Sequence, residues 1–199
     1  MFESAAFELP GNRLSRPHAN CYWLVPGRIL AGEYPRDFDE TSSRSKMQAI
    51  LAAGVTQFVD LTEEAEGPVP YLPLLQVFAR TPGREPLHVR HAVRDKSVPE
   101  PAQMRAILDE IDVAAATGHC IYLHCWGGIG RTGTVVGCLL VEAGFAAEDA
   151  LRLLAHKWTV MEKRKRCPAS PETPEQVAFI RNWPLEWHCR IRPVAAGRT

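Results

Sequence analysis

The 199-residue sequence carries no excess of either charge: 23 Lys and Arg balance 23 Asp and Glu, for a formal net charge of zero. A chain without a bulk field has no general attraction for nucleic acid or an anionic membrane, so neither is expected as a partner. It lacks an apolar run long enough to span a bilayer, because glycine breaks the longest one. The opening Met-Phe-Glu-Ser-Ala-Ala-Phe-Glu is acidic and has none of the basic and apolar segments of a secretion signal. There is no Cys-x-x-Cys pair among Cys21, Cys120, Cys125, Cys138, Cys167 and Cys189, so neither a zinc site nor a disulfide framework is expected. No motif supplies metal ligands, no cofactor is expected, and nothing specifies an oligomeric state. Internal repeats and low-complexity stretches are absent too. These absences lead to the expectation of a cytoplasmic protein in which a reduced cysteine is free to act as a nucleophile.

What is present is an ordinary globular composition, 46% hydrophobic and 23% charged, with a length suited to one domain. Residues 1–20 read as an irregular lead-in, 21–185 as the domain and 186–199 as a tail. Tyr22–Val25 and Ile29–Ala31 read as short strands around Pro26-Gly27. A helix is expected over Thr41–Ala53, stopped by Gly54, then a buried strand over Val55–Leu61. Glu63, Glu64 and Glu66 after it read as a polar loop rather than a second acid. Tyr71–Arg80 is ambiguous between loop and short helix, and Leu87–Val93 alternates as a strand does. Met104, Ile107, Leu108 and Ile111 mark a helix over Pro101–Thr117. Cys120–His124 is an apolar strand, and Thr132–Ala143 is apolar nearly all round, as a central buried helix would be. Glu148–Trp158 and Pro174–Trp183 complete the helices. Strands alternating with helices predict an α/β fold, a mostly parallel sheet covered on both faces.

The informative stretch is His124-Cys125-Trp126-Gly127-Gly128-Ile129-Gly130-Arg131-Thr132-Gly133, which leaves a strand and enters a helix. Its glycines let successive N–H groups of Trp126, Gly127, Gly128, Ile129, Gly130 and Arg131 curl into one concavity suited to an anion. The following helix adds its orphan donors and dipole. A thiol at Cys125, on the lip of that concavity, is expected to be held as the thiolate. Arg131, six residues on, can grip two phosphate oxygens with its planar fork. A nucleophile, an oxyanion cradle and a bidentate clamp are what phosphoryl transfer through a covalent intermediate needs, and the set includes no metal.

This segment resembles the His-Cys-x5-Arg-Thr/Ser signature loop of the protein tyrosine phosphatase superfamily. The resemblance implies the cysteine-phosphatase fold, with the phosphate loop between a strand and a buried helix. It also implies hydrolysis of phosphate monoesters through phosphocysteine, with a phosphorylated protein or peptide as substrate. Val93-Arg94-Asp95-Lys96-Ser97-Val98-Pro99 is similar to the general-acid loop of the dual-specificity branch, which makes Asp95 the acid. Thr173-Pro174-Glu175-Gln176 resembles the loop in which a glutamine positions the hydrolytic water, and it fits a capping box equally well. By the same resemblance His124 shapes the loop and tunes the thiolate, and the Thr132 hydroxyl assists departure of Cys125. Trp126 is bulky for the loop, either flanking the pocket or packing beneath it, and the phosphotyrosine-recognition loop of the tyrosine-specific branch is not recognisable. With no cation between Cys125 and Arg131, and with Trp126 and Ile129 offering apolar surface, phosphotyrosine is expected over phosphoinositides. Inositol or other small phosphates remain the alternative, as does a silent phosphoprotein-binding module, against which Cys125, Arg131 and Asp95 all count. Lys163-Arg164-Lys165-Arg166 reads as a solvated turn, and Cys120 as a structural cysteine rather than a redox partner.

Overall fold

The computed structural model describes residues 2–8, 14–64, 66, 69–78 and 85–183. The expected tail 186–199, with 184 and 185 of the expected domain, lies outside the described residues, as do 79 and 80 of the ambiguous segment. A helix α1 (Ser4–Glu8) opens the chain, followed by strands β1 (Cys21–Val25) and β2 (Ile29–Gly32). Next come helix α2 (Glu40–Ala52), strand β3 (Gln57–Asp60), helix α3 (Leu72–Phe78) and strand β4 (Leu87–Arg90). Helix α4 (Pro101–Ala116), strand β5 (Ile121–His124) and helices α5 (Gly130–Glu142), α6 (Ala147–Trp158) and α7 (Pro174–Asn182) follow.

The strands form one sheet in the order β1-β2-β5-β3-β4, antiparallel only at the β1–β2 pair. This is the expected mostly parallel sheet. Side chains alternate across it as the pleat requires. Ile121 and Leu123 of β5 and Val59 of β3 face one core, built with α4, α5, α6 and α7. Tyr122 and Phe58 face the other, built with Met47 and Ile50 of α2 and Leu74 and Leu75 of α3. Helix α5 is buried from Gly130 to Leu140, which is why its sequence has no polar face. Asp39 caps α2 by accepting from Ser42 N at 2.8 Å.

Two expectations need correcting. The strands end earlier than their apolar runs: β3 stops at Asp60 rather than Leu61, and β4 at Arg90 rather than Val93. Beyond them both segments turn into loops over the sheet's edge, with Leu61 N still donating to His124 O at 2.9 Å and Val93 N to Leu61 O at 3.1 Å. The lead-in is not wholly irregular, since α1 buries Phe7 against Phe145, with ring centroids 6.3 Å apart.

Candidate active site

The register of the parallel strands sets the position of the site. Gly32, Asp60 and His124 pair side by side at the C-terminal ends of β2, β3 and β5, and Asp60 also pairs with Arg90 of β4. The loops after all four strands therefore rise from one edge, the usual position of a ligand crevice in such sheets. They carry Glu33, Glu66, Asp95 and Cys125.

The loop after β5 curls at once into α5. Gly128 has φ +70°, and a Cβ there would lie 2.4 Å from the Gly32 carbonyl carbon, so only glycine fits against β2. That conformation sends Gly128 N–H to Cys125 Sγ at 3.2 Å. Cys125 is buried, and so are Thr132 and Arg131. Thr132 Oγ1 and Arg131 Nε are buried with no hydrogen-bond partner among the described residues. Buried donors without partners are costly unless a ligand takes them up, and these two begin the helix that the loop feeds.

Arg131 is held from behind. Its Nη1 donates to Glu66 Oε2 at 2.6 Å and to the carbonyls of Val93 (2.9 Å) and Leu61 (3.3 Å). Its Nη2 donates to Glu66 Oε1 and, at 3.0 Å, to Asp95 Oδ1. Burial works against the guanidinium charge, but the Glu66 bond and the neighbouring Cys125, Glu66 and Asp95 charges keep it more firmly protonated than usual. Glu66 lies on the expected polar loop but turns inward, making a bidentate pair that leaves the Nε edge open. Three carboxylates directly after a strand ending at the site edge were the available signal; the chain does not reveal which one turns inward. Asp95 lies beside Arg131, with its side chain 56% exposed. It caps nothing, since the N-cap of α4 is Glu100.

His124 sits beneath the loop, fully buried. Its Nδ1 lies 3.3 Å from Cys125 O and its Nε2 lies 2.9 Å from Tyr71 Oη. A carbonyl only accepts, so Nδ1 carries the proton, and a neutral ring then accepts from Tyr71 at Nε2. Burial pushes the His124 pKa down, against the pull of Asp60. Burial would raise the Asp60 carboxyl, but the nearby His124 and hydrogen bonds from His88 and Thr62 hold it well below the usual carboxylate range. Arg90 adds bonds of 3.1 and 3.0 Å to Asp60 Oδ2, the oxygen His88 also meets. The buried Asp60 and the half-buried His88 and Arg90 thus form a polar floor that sequence patterning does not reveal.

Gln176 serves the capping box: Gln176 N donates to Thr173 Oγ1, and Thr173 N and Glu172 N donate to its Oε1, each at 3.2 Å. Its Nε2 donates to Ser97 O at 3.1 Å, tying α7 to the Asp95 loop. A Cβ on Gly130 would come within 2.8 Å of both amide atoms, so this side chain abuts the loop after β5. Trp126 is half-buried against Tyr34 (5.2 Å between ring centroids) and reaches Phe38 (6.4 Å), which is 83% exposed. Ile129 does not offer the apolar surface expected of it: its side chain is part of the core beside α5.

The basic run divides. Lys163 turns inward to Gly127 O (3.2 Å) and Glu33 Oε2 (2.6 Å), while Arg164, Lys165 and Arg166 are exposed. Cys120 faces the opposite core from Cys125, and five residues of strand separate the two by about 16 Å. That is too far for a disulfide without rearrangement.

A family model described as PTP-SAK, Swiss Army Knife protein, DSP-PTPase phosphatase domain, matches residues 18–180. A protein of Invertebrate iridescent virus 3 named as a tyrosine phosphatase, 067L, is 31% identical over 123 residues. That match covers 59% of this chain and 44% of the viral protein, so the chain spans less than half of that relative. Among solved structures, Tk-PTP in a glycine-to-alanine mutant form superposes with a TM-score of 0.63 at 21% identity, covering 87% of this chain and 98% of that one. PTPMT1 in complex with PI(5)P superposes with a TM-score of 0.59 at 18% identity, covering 83% and 96%. At those identities the likeness establishes a shared fold.

Proposed function

The chain belongs to the DSP-PTPase phosphatase-domain family of Swiss Army Knife proteins, and from that premise we propose that it hydrolyses phosphate monoesters through a phosphocysteine on Cys125. The observation that carries this reading is the pairing of a loop N–H on Cys125 Sγ with an unpartnered, buried Arg131 Nε. The phosphate enters the cradle of loop N–H groups, and the Nε edge of Arg131 takes its equatorial oxygens. Cys125 Sγ attacks phosphorus as the leaving oxygen departs, and Asp95 gives that oxygen a proton. Its reach is supported by its contact with Arg131, which must loosen as phosphate arrives. Water then attacks phosphocysteine with Asp95 as base, and Thr132 Oγ1 stabilises the departing thiolate. Gln176 holds the Asp95 loop through Ser97 and lies against Gly130, so it positions the two loops between which that water enters.

For the substrate, a phosphotyrosyl peptide fits best. The loop carries no cation between Cys125 and Arg131, and Lys163 is already committed to Glu33, so additional ring phosphates would enter uncompensated. Trp126 and exposed Phe38 provide an aromatic flank at that edge. The test measures wild type and Cys125→Ser side by side on a phosphotyrosyl peptide and a soluble phosphatidylinositol phosphate. The serine variant is expected to lose turnover and keep vanadate binding, with the peptide giving the higher wild-type kcat/KM. Serine turnover within about tenfold of wild type refutes the covalent step; a higher kcat/KM on the inositide refutes only the substrate assignment.

A further inference from the structure

The outer side of the phosphate loop is held by donors from three separate parts of the chain. Tyr34 N donates to Trp126 O at 3.0 Å, Lys163 Nζ to Gly127 O at 3.2 Å and Ser170 Oγ to Ile129 O at 2.8 Å. In a trans peptide the N–H points opposite to the C=O. Drawing the Gly127 carbonyl outward therefore turns the next N–H, that of Gly128, inward, where it meets Cys125 Sγ at 3.2 Å. Of the three donors only Lys163 is charged, and a cation on the carbonyl polarises the peptide so that its N–H donates more strongly.

Lys163 is itself immobilised. It follows α6 in a short 3₁₀ turn (Glu162–Lys165), and its ammonium pairs with Glu33 Oε2 at 2.6 Å. Glu33 Oε1 in turn takes Lys46 of α2 at 2.8 Å, and Lys46 also grips Asp37. Burial would raise the Glu33 carboxyl, but the Lys163 charge and the bonds from both lysines hold it below its ordinary range. A chain of ion pairs thus runs from α2, through the loop after β2, to the back of the phosphate loop.

We infer that Lys163 is a positioning residue that presets the Gly127–Gly128 peptide on the Cys125 sulfur before any phosphate is bound. The inference rests on the reading of Cys125 as nucleophile. The expectation that this run is a solvated turn holds for its exposed members and not for Lys163.

The test compares wild type, Lys163→Met and Lys163→Arg in the full chain. The readouts are the pH profile of Cys125 alkylation by neutral iodoacetamide, kcat/KM on p-nitrophenyl phosphate and the thermal midpoint. Lys163→Met is expected to move the alkylation midpoint upward by about half a pH unit or more and to lower kcat/KM roughly tenfold, the worth of one charge-assisted hydrogen bond. Arginine, still cationic and able to reach both partners, is expected to restore both. Should the methionine variant not fold, Lys163→Gln keeps a donor without charge and is expected to show the same upward shift. A variant that only melts earlier, with alkylation profile and kcat/KM unchanged, overturns the inference. A wild type that alkylates at Cys125 but hydrolyses nothing overturns the phosphatase reading instead, and the alkylation profiles still decide the role of Lys163.

Discussion

Replacing Glu66 with alanine tests how the clamp is built. The Arg131 side chain is 1% exposed, and Glu66 meets it with both oxygens. Without that carboxylate, Nη1 still has the carbonyls of Leu61 and Val93, and Nη2 still has Asp95. Removing one partner of a buried ion pair costs about 3–5 kcal/mol when the other charge is left uncompensated. Here the remaining acceptors bring the figure down to about 2–3 kcal/mol, a fall in Tm of roughly 5–10 °C for a domain of this size. The catalytic loss should exceed what stability explains, because an Arg131 no longer fixed from behind aims its Nε edge less well at the flattened phosphoryl group. We expect kcat to fall by roughly 10²-fold, as when an oxyanion donor is misplaced, with a smaller change in KM. Glu66→Gln, keeping one acceptor, should fall between. Steady-state kinetics on p-nitrophenyl phosphate, run below the lower Tm, with calorimetry alongside, make the measurement. Glu66→Ala with kcat/KM within about twofold of wild type and Tm within about 1 °C would refute the reasoning.

Asp95→Ala should lose roughly 10²–10⁴ in kcat on alkyl and aryl phosphates, less where the leaving group needs no proton. The alkaline limb of its pH–rate profile should flatten, and an unchanged rate and profile would place the acid elsewhere. For pH and stability, burial lowers His18 to about 4, against the pull of Glu33, and also pushes His124 down, against the pull of Asp60. Both folded values lie below the unfolded value near 6.5, so the unfolded chain takes up protons first on acidification. Stability is then full above about pH 6.5 and falls towards pH 4, with His18 alone contributing about 3 kcal/mol. Thermal melts between pH 7 and 4.5 should show a steady drop in Tm, which His18→Asn should make shallower; a flat series contradicts the assignment.

The loop proposed to hold phosphate was legible because its residues are local: Cys125, the glycines, Arg131 and the helix start lie within ten consecutive residues. The parallel sheet was legible from periodicity, and Asp95 from its place ahead of a proline. Glu66, Asp60, Tyr71 and Lys163 were not, because they reach the loop only through strand register and loop closure, which residue patterns do not encode. Lys163 shows the limit best. Four consecutive cations read alike in sequence, and only the fold turns one of them inward. The apolar runs also overstated β3 and β4: Leu61 and Val93 are buried just past the last paired residues, each keeping a single backbone bond to the neighbouring segment, Leu61 N to His124 O and Val93 N to Leu61 O.

A covalent phosphate on Cys125, if it forms, can be trapped. Asp95→Ala, slowed in the water-dependent step, is mixed with an aryl phosphate whose leaving group needs no proton, then quenched within milliseconds and digested for mass spectrometry. Near-stoichiometric phosphate is expected on the peptide containing Cys125, and none when Cys125→Ser is added to the same chain. Burst release of the aryl alcohol with no phosphate on that peptide, or with phosphate on a different residue, would contradict that expectation.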